Sequence, residues 1–248
     1  MLNLHKKLQS YIERLFFNGK STRKSEYITF VLGNVVLMLL LFYVFLNNIA
    51  YDWTGKLYPV GSGFQLGSIF GGLDNAIPFV PEMAIFYIYI FYGFAVLTML
   101  FFGFIEYKRG YALGWSLVII NAIAVLIYIV FPVSTNVYRQ ELLANQITGN
   151  FWANQVYNIF KTDTSFNCFP SLHAAVSTIC VYTWYRYSLI KKTLTSKATT
   201  LTALALAAGI IFSTLLIKQH YIADEIVGVA LAYAVGKPLF NYLWKKTS

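Results

Sequence analysis

Apolar residues run through this chain in long stretches, separated by shorter segments where charge and glycine collect. A helix needs about 20 predominantly apolar residues to cross the hydrocarbon core of a bilayer, where it must satisfy its own backbone hydrogen bonds. Six stretches are candidates: residues 29–50, 83–105, 111–131, 169–185, 199–217 and 221–243. The pattern predicts an all-α polytopic membrane protein, a bundle of six transmembrane helices in one membrane domain (1–248) whose core covers 29–243. Ahead of that core, Leu4, Leu8, Tyr11, Ile12, Leu15 and Phe16 recur at helical spacing. Lys6, Lys7, Glu13 and Arg14 take the other side, and Asn18-Gly19 ends the pattern. Residues 1–18 therefore read as an amphipathic helix, lying either in the membrane interface or on the protein's own loops.

Composition agrees. The chain is 58% hydrophobic and 12% charged, where a soluble domain carries about 25% charged residues. A net charge of +9 raises nucleic acid as a partner, but the basic residues are dispersed between the apolar stretches rather than gathered in a patch, so none is expected. Their distribution sets a topology instead. Lys6, Lys7, Arg14, Lys20, Arg23 and Lys24 precede the first stretch. Lys108 and Arg109 lie between the second and third, Arg186, Lys191, Lys192 and Lys197 between the fourth and fifth, and Lys237, Lys245 and Lys246 near the end. All of these fall on one side, leaving Lys56, Arg139, Lys161 and Lys218 on the other. The positive-inside rule then puts both termini in the cytoplasm. The first stretch is too long and too late for a cleavable signal and is expected to remain as an anchor.

On the outer side, residues 51–81 form a glycine-rich loop that ends in Ile77-Pro78-Phe79-Val80-Pro81, and a second loop opens at Phe131-Pro132 and passes Arg139. Tyr87, Tyr89 and Tyr92 read as packing or interfacial belt residues. Two cysteines are too few for a disulfide framework and match no common metal pattern. Cys180 fits helix packing, and Cys168 is either a small apolar filler or a reactive thiol.

Two of the three histidines stand where apolar stretches begin, in Asn167-Cys168-Phe169-Pro170-Ser171-Leu172-His173 and in Lys218-Gln219-His220-Tyr221-Ile222-Ala223-Asp224. Both beginnings face outward in this topology, so His173, His220 and Asp224 share one membrane level. His220 and Asp224, four apart on a helix, point the same way, and the carboxylate fixes the imidazole tautomer. Pro170 suits the first position of a helix, which leaves the amides of Ser171, Leu172 and His173 free to attract an anion, phosphate above all. The Ser171 hydroxyl adds a donor, and Arg139 and Lys218 add positive charge.

An anion site beside two histidines points to phosphoryl transfer through a phosphohistidine, one histidine attacking and the other protonating the leaving oxygen. A blander account lets Asp224 and Glu225 sit in the interface, where charge is cheap; at a helix centre an Asp would cost about 2.5–3.5 kcal/mol. Haem between two spans would leave Pro170, Ser171 and Asp224 without a purpose, and zinc would want three or four ligands. No cofactor and no metal are expected.

Phe169-Pro170-Ser171-Leu172-His173, and Ser213 through His220 to Asp224, resemble the second and third signature motifs, P-S-G-H and S-R-x5-H-x3-D, of the type-2 phosphatidic acid phosphatase superfamily. The resemblance implies six spans, an outer-face site, His220 as nucleophile, Asp224 as its orienting partner, His173 as general acid and Ser171 as phosphate ligand. Arg139 stands for the arginine of the first motif, K-x6-R-P, while Gln140 and Pro132 replace its proline and lysine. Leu172 replaces the glycine of the second motif and Thr214 the arginine of the third. The Phe-Pro-Ser-Leu-His wording and the Ile77 to Pro81 stretch are similar to the branch with inositolphosphorylceramide synthases. The expected activity is cleavage of a lipid phosphate ester or diphosphate of the phosphatidate, phosphatidylglycerol phosphate or polyprenyl diphosphate type, at the extracytoplasmic face of the plasma membrane. Headgroup transfer between lipids and a non-enzymatic lipid-binding role stay open beside it.

Overall fold

In the computed structural model, which describes residues 2–30, 53–59, 61–144 and 149–247, the apolar stretches within those residues are helices. The amphipathic start is α1 (Leu2–Phe16), followed by α2 (Arg23–Phe30). Pro81–Met83 forms a 3-10 turn that leads through a π-helical segment, Ile85–Ile90, into α3 (Phe91–Ile105). Then come α4 (Tyr107–Val130), the shorter α5 (Asn136–Ala144) and α6 (Phe151–Thr162), α7 (Leu172–Lys191) and α8 (Leu194–Leu216). The chain ends in α9 (Ile222–Leu231), a π-helical segment Ala232–Gly236, and α10 (Lys237–Thr247).

Among the described residues, four helices are long and apolar enough to cross a membrane: Pro81–Gly103, Lys108–Val130, Leu194–Leu216 and Ile222–Lys246. They match four of the six predicted stretches. Residues 31–50 of the first stretch lie outside the described residues. The stretch 169–185 corresponds to α7, which is not among the four because Ser177, Thr178, Thr183 and Arg186 dilute it. Its position explains the tolerance. α7 packs against α3, α4, α8 and α9 at once, so Ser177 and Thr183 are fully buried by protein, and Thr183 bonds the Ile179 carbonyl of its own helix at 2.9 Å.

α1 packs on α2, burying Ile12 while leaving Tyr11, Leu15 and Phe16 exposed. α7 sets the direction of the bundle. At its start the Tyr128 hydroxyl, near the end of α4, donates to the Pro170 carbonyl at 2.9 Å. At its far end Arg186 lies 4.6 Å from the Trp244 ring, whose other neighbour is Arg109, at 4.8 Å, near the start of α4. The histidines thus lie at one end and Arg109, Arg186 and Trp244 at the other. The loops at the histidine end are tied across. Phe64 bridges Val133, which bridges Asn167, and the Val80 amide donates to the Leu216 carbonyl at 2.9 Å.

Candidate functional site

Helix α8 ends in a Schellman turn: Lys218 N–H donates to the Leu215 carbonyl at 3.1 Å and Gln219 N–H to the Thr214 carbonyl at 2.9 Å. Such a turn puts one residue in the left-handed region, usually glycine; here it is Lys218, at φ 59°. The Lys218 ammonium donates to the carbonyls of Asp74 and Ile77 in the loop before Pro81 and lies 4.9 Å from the Tyr138 ring. Burial lowers its pKa, with Asp74 and Glu141 working against that.

The turn delivers His220 to the start of α9. Asp224 sits one turn on, with Oδ2 accepting from the Tyr221 N–H at 2.8 Å and lying 3.3 Å from His220 Nδ1. The expectation of two side chains on one helix is corrected in its geometry, since His220 precedes α9. The pair forms because the carboxylate reaches back over the helix start, as the third residue of a capping box does. Asp224 is wholly buried and His220 nearly so. Burial disfavours the charged ring, but the hydrogen bond to Asp224 and the charge of that carboxylate outweigh it and raise the His220 pKa above its ordinary value.

The other half of the site is the start of α7. Ser171, not Pro170, marks the boundary: its Oγ accepts from the Ala174 N–H at 3.2 Å, and its own N–H donates to the Asp224 carbonyl at 3.0 Å. Pro170 therefore precedes the cap rather than opening the helix. The amides of Leu172 and His173 remain without carbonyls inside the helix. At Gly228 a Cβ would stand 2.3 Å from the Ser171 carbonyl oxygen, so glycine there lets α9 cross the start of α7 at backbone contact. The crossing holds the His173 and His220 rings 5.7 Å apart, centroid to centroid, at 65°. The His173 ring is packed between Tyr87, at 4.3 Å, and Phe91, at 4.2 Å.

Arg139 is drawn to the same end but spent on protein. It donates to the Asp163 carboxylate at 2.8 Å, to the Asp163 carbonyl at 3.1 Å, to Thr135 at 3.2 Å and to the Gln219 side-chain oxygen. It thereby clamps the residue before His220. Cys168 donates to the Ser165 carbonyl at 3.1 Å, and burial pushes its thiol up to about 12, the state of a packed filler rather than a nucleophile. The structure so brings His173, His220, Asp224 and Ser171 together, with Arg139 one residue behind His220 and Lys218 turned toward the outer loop.

Four buried polar atoms in these two segments have no hydrogen-bond partner among the described residues: His173 Nε2, Gln219 Nε2, Asp224 Oδ1 and Glu225 Oε2. Buried polar atoms are rarely left unpaired, so a cluster of them marks a place built to meet something else. The sequence reading gives no site role to Glu225, Gln219, Asp163, Phe91 or Tyr87, the last of which it takes for packing. A signal exists for Asp163, because the chain has 10 acidic residues in all and few follow Arg139. Tyr87 and Phe91 share a helical face at i and i+4, which does not distinguish a ring clamp from packing.

Comparison of the chain with curated proteins and with solved structures gives no match. A family model described as PAP2 superfamily matches residues 63–236, a stretch that holds His173, His220, Asp224, Ser171, Arg139 and Lys218. By that match the chain belongs to the PAP2 superfamily, whose members are generally phosphatases or phosphotransferases.

Proposed function

We propose that this membrane protein cleaves a phosphate ester or diphosphate of a lipid at the outer face of the membrane through a phosphohistidine on His220. What supports the reading is one juxtaposition: the buried His220–Asp224 pair facing His173 across 5.7 Å, beside a capped helix start with free amides. Asp224 holds Nδ1, so Nε2 is the nitrogen left for phosphorus. Nε2 attacks, the bond from phosphorus to the lipid oxygen breaks, and His173 passes a proton to that oxygen. Water then attacks phosphorus of the phosphohistidine and gives its proton to His173, inorganic phosphate leaves and His220 is restored. The Ser171 hydroxyl and the amides of Leu172 and His173 hold the phosphoryl oxygens. The histidines supply both nucleophile and acid, so the scheme calls on no metal.

A second reading has an alcohol of another lipid in place of water, giving headgroup transfer. The aromatic clamp of Tyr87 and Phe91 on His173 favours it, because a site walled by apolar rings disfavours water. The test is turnover by the purified protein with phosphatidate and with a polyprenyl diphosphate, His220→Ala serving as control. Phosphate release lost in the variant supports hydrolysis. Exchange that appears only with an added alcohol supports transfer. Lipid binding with neither reaction in the wild type would overturn the enzymatic reading.

A further inference from the structure

The cations near the site are already engaged where they stand. Arg139 is paired with Asp163, and Lys218 is held by loop carbonyls close to Asp74. The slot of the third motif's arginine holds Thr214, which faces an acid, Glu225. A phosphoryl group brings at least one negative charge, so an ionised Glu225 buried beside it would repel the ligand.

The hydrogen bonds around Glu225 resolve the conflict. The Thr214 hydroxyl has one hydrogen, yet its oxygen lies 2.7 Å from the Ile211 carbonyl and 2.7 Å from Glu225 Oε1. Carbonyl and carboxylate are both acceptors. Both contacts are full hydrogen bonds when Thr214 donates to Ile211 and Glu225, carrying a proton, donates or shares it with Thr214. The Ser171 hydroxyl also engages the Glu225 side chain. Glu225 is 5% exposed, and its Oε2 has no partner among the described residues. It thus lies between the proposed phosphate ligand Ser171 and the slot where a guanidinium is missing.

We propose that Glu225 works as a neutral carboxylic acid whose single proton, shared with Thr214 until substrate binds, passes to the unpartnered Oε2 and is donated to a phosphoryl oxygen, while Thr214 turns its own hydrogen from the Ile211 carbonyl to Oε1, so that the acid takes the place of a phosphate-binding cation. A protonated carboxyl kept neutral by its surroundings is a competent oxyanion donor. A donor without charge also sets the substrate class. A site whose cations are already engaged suits a singly charged phosphodiester over a doubly charged phosphomonoester, because the second charge finds Arg139 and Lys218 held by other partners. Among the described residues the charged or titratable groups facing Glu225 are His220 and Asp224 on its own segment; α7 presents Ser171 and α8 Thr214, both uncharged.

This inference rests on the phosphoryl-transfer reading, and the experiment separates the two. Wild type, Glu225→Gln, Glu225→Leu and His220→Ala are compared from pH 5 to 9 for turnover of a phosphodiester lipid and of phosphatidate, and for thermal stabilisation by orthovanadate. Glutamine keeps a donor and cannot ionise. The expected result is Glu225→Gln within about threefold of wild type at pH 6 and free of the wild type's alkaline loss, with Glu225→Leu down by about 10²–10³-fold, as for loss of an oxyanion donor. Preference for the diester over phosphatidate belongs to the same result. A Glu225→Gln variant as impaired as Glu225→Leu, or one that retains the alkaline loss, overturns the proposal. It falls equally if Glu225→Leu keeps full turnover. Where the wild type turns over neither lipid, the phosphoryl-transfer reading fails and vanadate decides about Glu225 alone: stabilisation shared by wild type and Glu225→Gln supports the donor, and its loss in Glu225→Gln overturns it.

Discussion

In the proposed mechanism His220 attacks only as the neutral ring, and its pKa is raised by the hydrogen bond to Asp224 despite burial. Turnover should therefore fall as pH drops through a midpoint above 6.5, the ordinary value. Replacing Asp224 by Asn removes the hydrogen bond and a negative charge that favour the protonated ring, so the acid midpoint moves down. The maximal rate should also fall by about 10²–10⁴-fold, because the tautomer is no longer fixed. A pH profile of kcat/KM for both proteins checks this, and an unmoved midpoint would detach Asp224 from His220. Cys168 carries a second residue-level expectation. With its thiol pushed up to about 12 and its sulfur donating to main-chain carbonyls, it should resist iodoacetamide at pH 8 in the folded protein and react once the protein is denatured. These residues were legible in the sequence because each stands beside the first turn of an apolar helix, where a polar side chain has no packing reason to be. Glu225 stood equally in view. What hid it was the partner that gives it meaning, Thr214, which lies eleven residues away across a turn.

Helices α7 and α9 make the site by touching, and the contact depends on one missing side chain. A methyl at Gly228 would meet the Ser171 carbonyl oxygen at 2.3 Å and Ala174 Cβ at 3.0 Å. The first is backbone at a helix start, tied to the Asp224 carbonyl through its own amide, so it cannot swing aside as a side-chain tip can. Gly228→Ala should cost about 1–3 kcal/mol of stability as overpacking does. Its loss of turnover should exceed that cost, because the two histidines separate; thermal unfolding measured beside kcat distinguishes the effects. The turn before α9 behaves differently. Lys218 holds a left-handed conformation that glycine adopts more easily, and its ammonium ties down the first outer loop. Lys218→Gly should keep the turn while limited proteolysis within residues 61–80 speeds up, with kcat changed by less than about threefold. A fall as large as that of a phosphate-binding donor would return Lys218 to the phosphate. Hydrophobic spacing located these helices to within a few residues. It could not register Gly228, whose role is fixed by a neighbour more than fifty positions earlier, or show that α7 tolerates serine and threonine because other helices surround it.

At the scale of the molecule, the arrangement is polar in both senses. Arg109 and Arg186 flank Trp244 at one end, and His173 lies at the other, thirteen residues of α7 away from Arg186, about 20 Å at the rise of an α-helix. Lys237 joins the first end, lying 5.7 Å from the Tyr182 ring. Arg109, Arg186 and Lys237, three of the basic residues that the sequence assigns to one side of a membrane on charge alone, thus gather at one end, while Arg139 and Lys218, assigned to the other, lie at the end that holds His220. Charge bias orients such bundles with the basic end in the cytoplasm, which predicts the proposed site on the outer face and the carboxyl terminus inside. The direct measurement is labelling of single cysteines by a membrane-impermeant maleimide in intact cells. Cys168 and Cys180 are both buried and give a silent background. Ser68→Cys, in the exposed first outer loop, should label in intact cells, and Thr195→Cys, exposed at the start of α8, only after permeabilisation. The reverse pattern would turn the bundle over and put the histidines on the cytoplasmic side, where the lipid phosphates offered to them would be those of the inner leaflet.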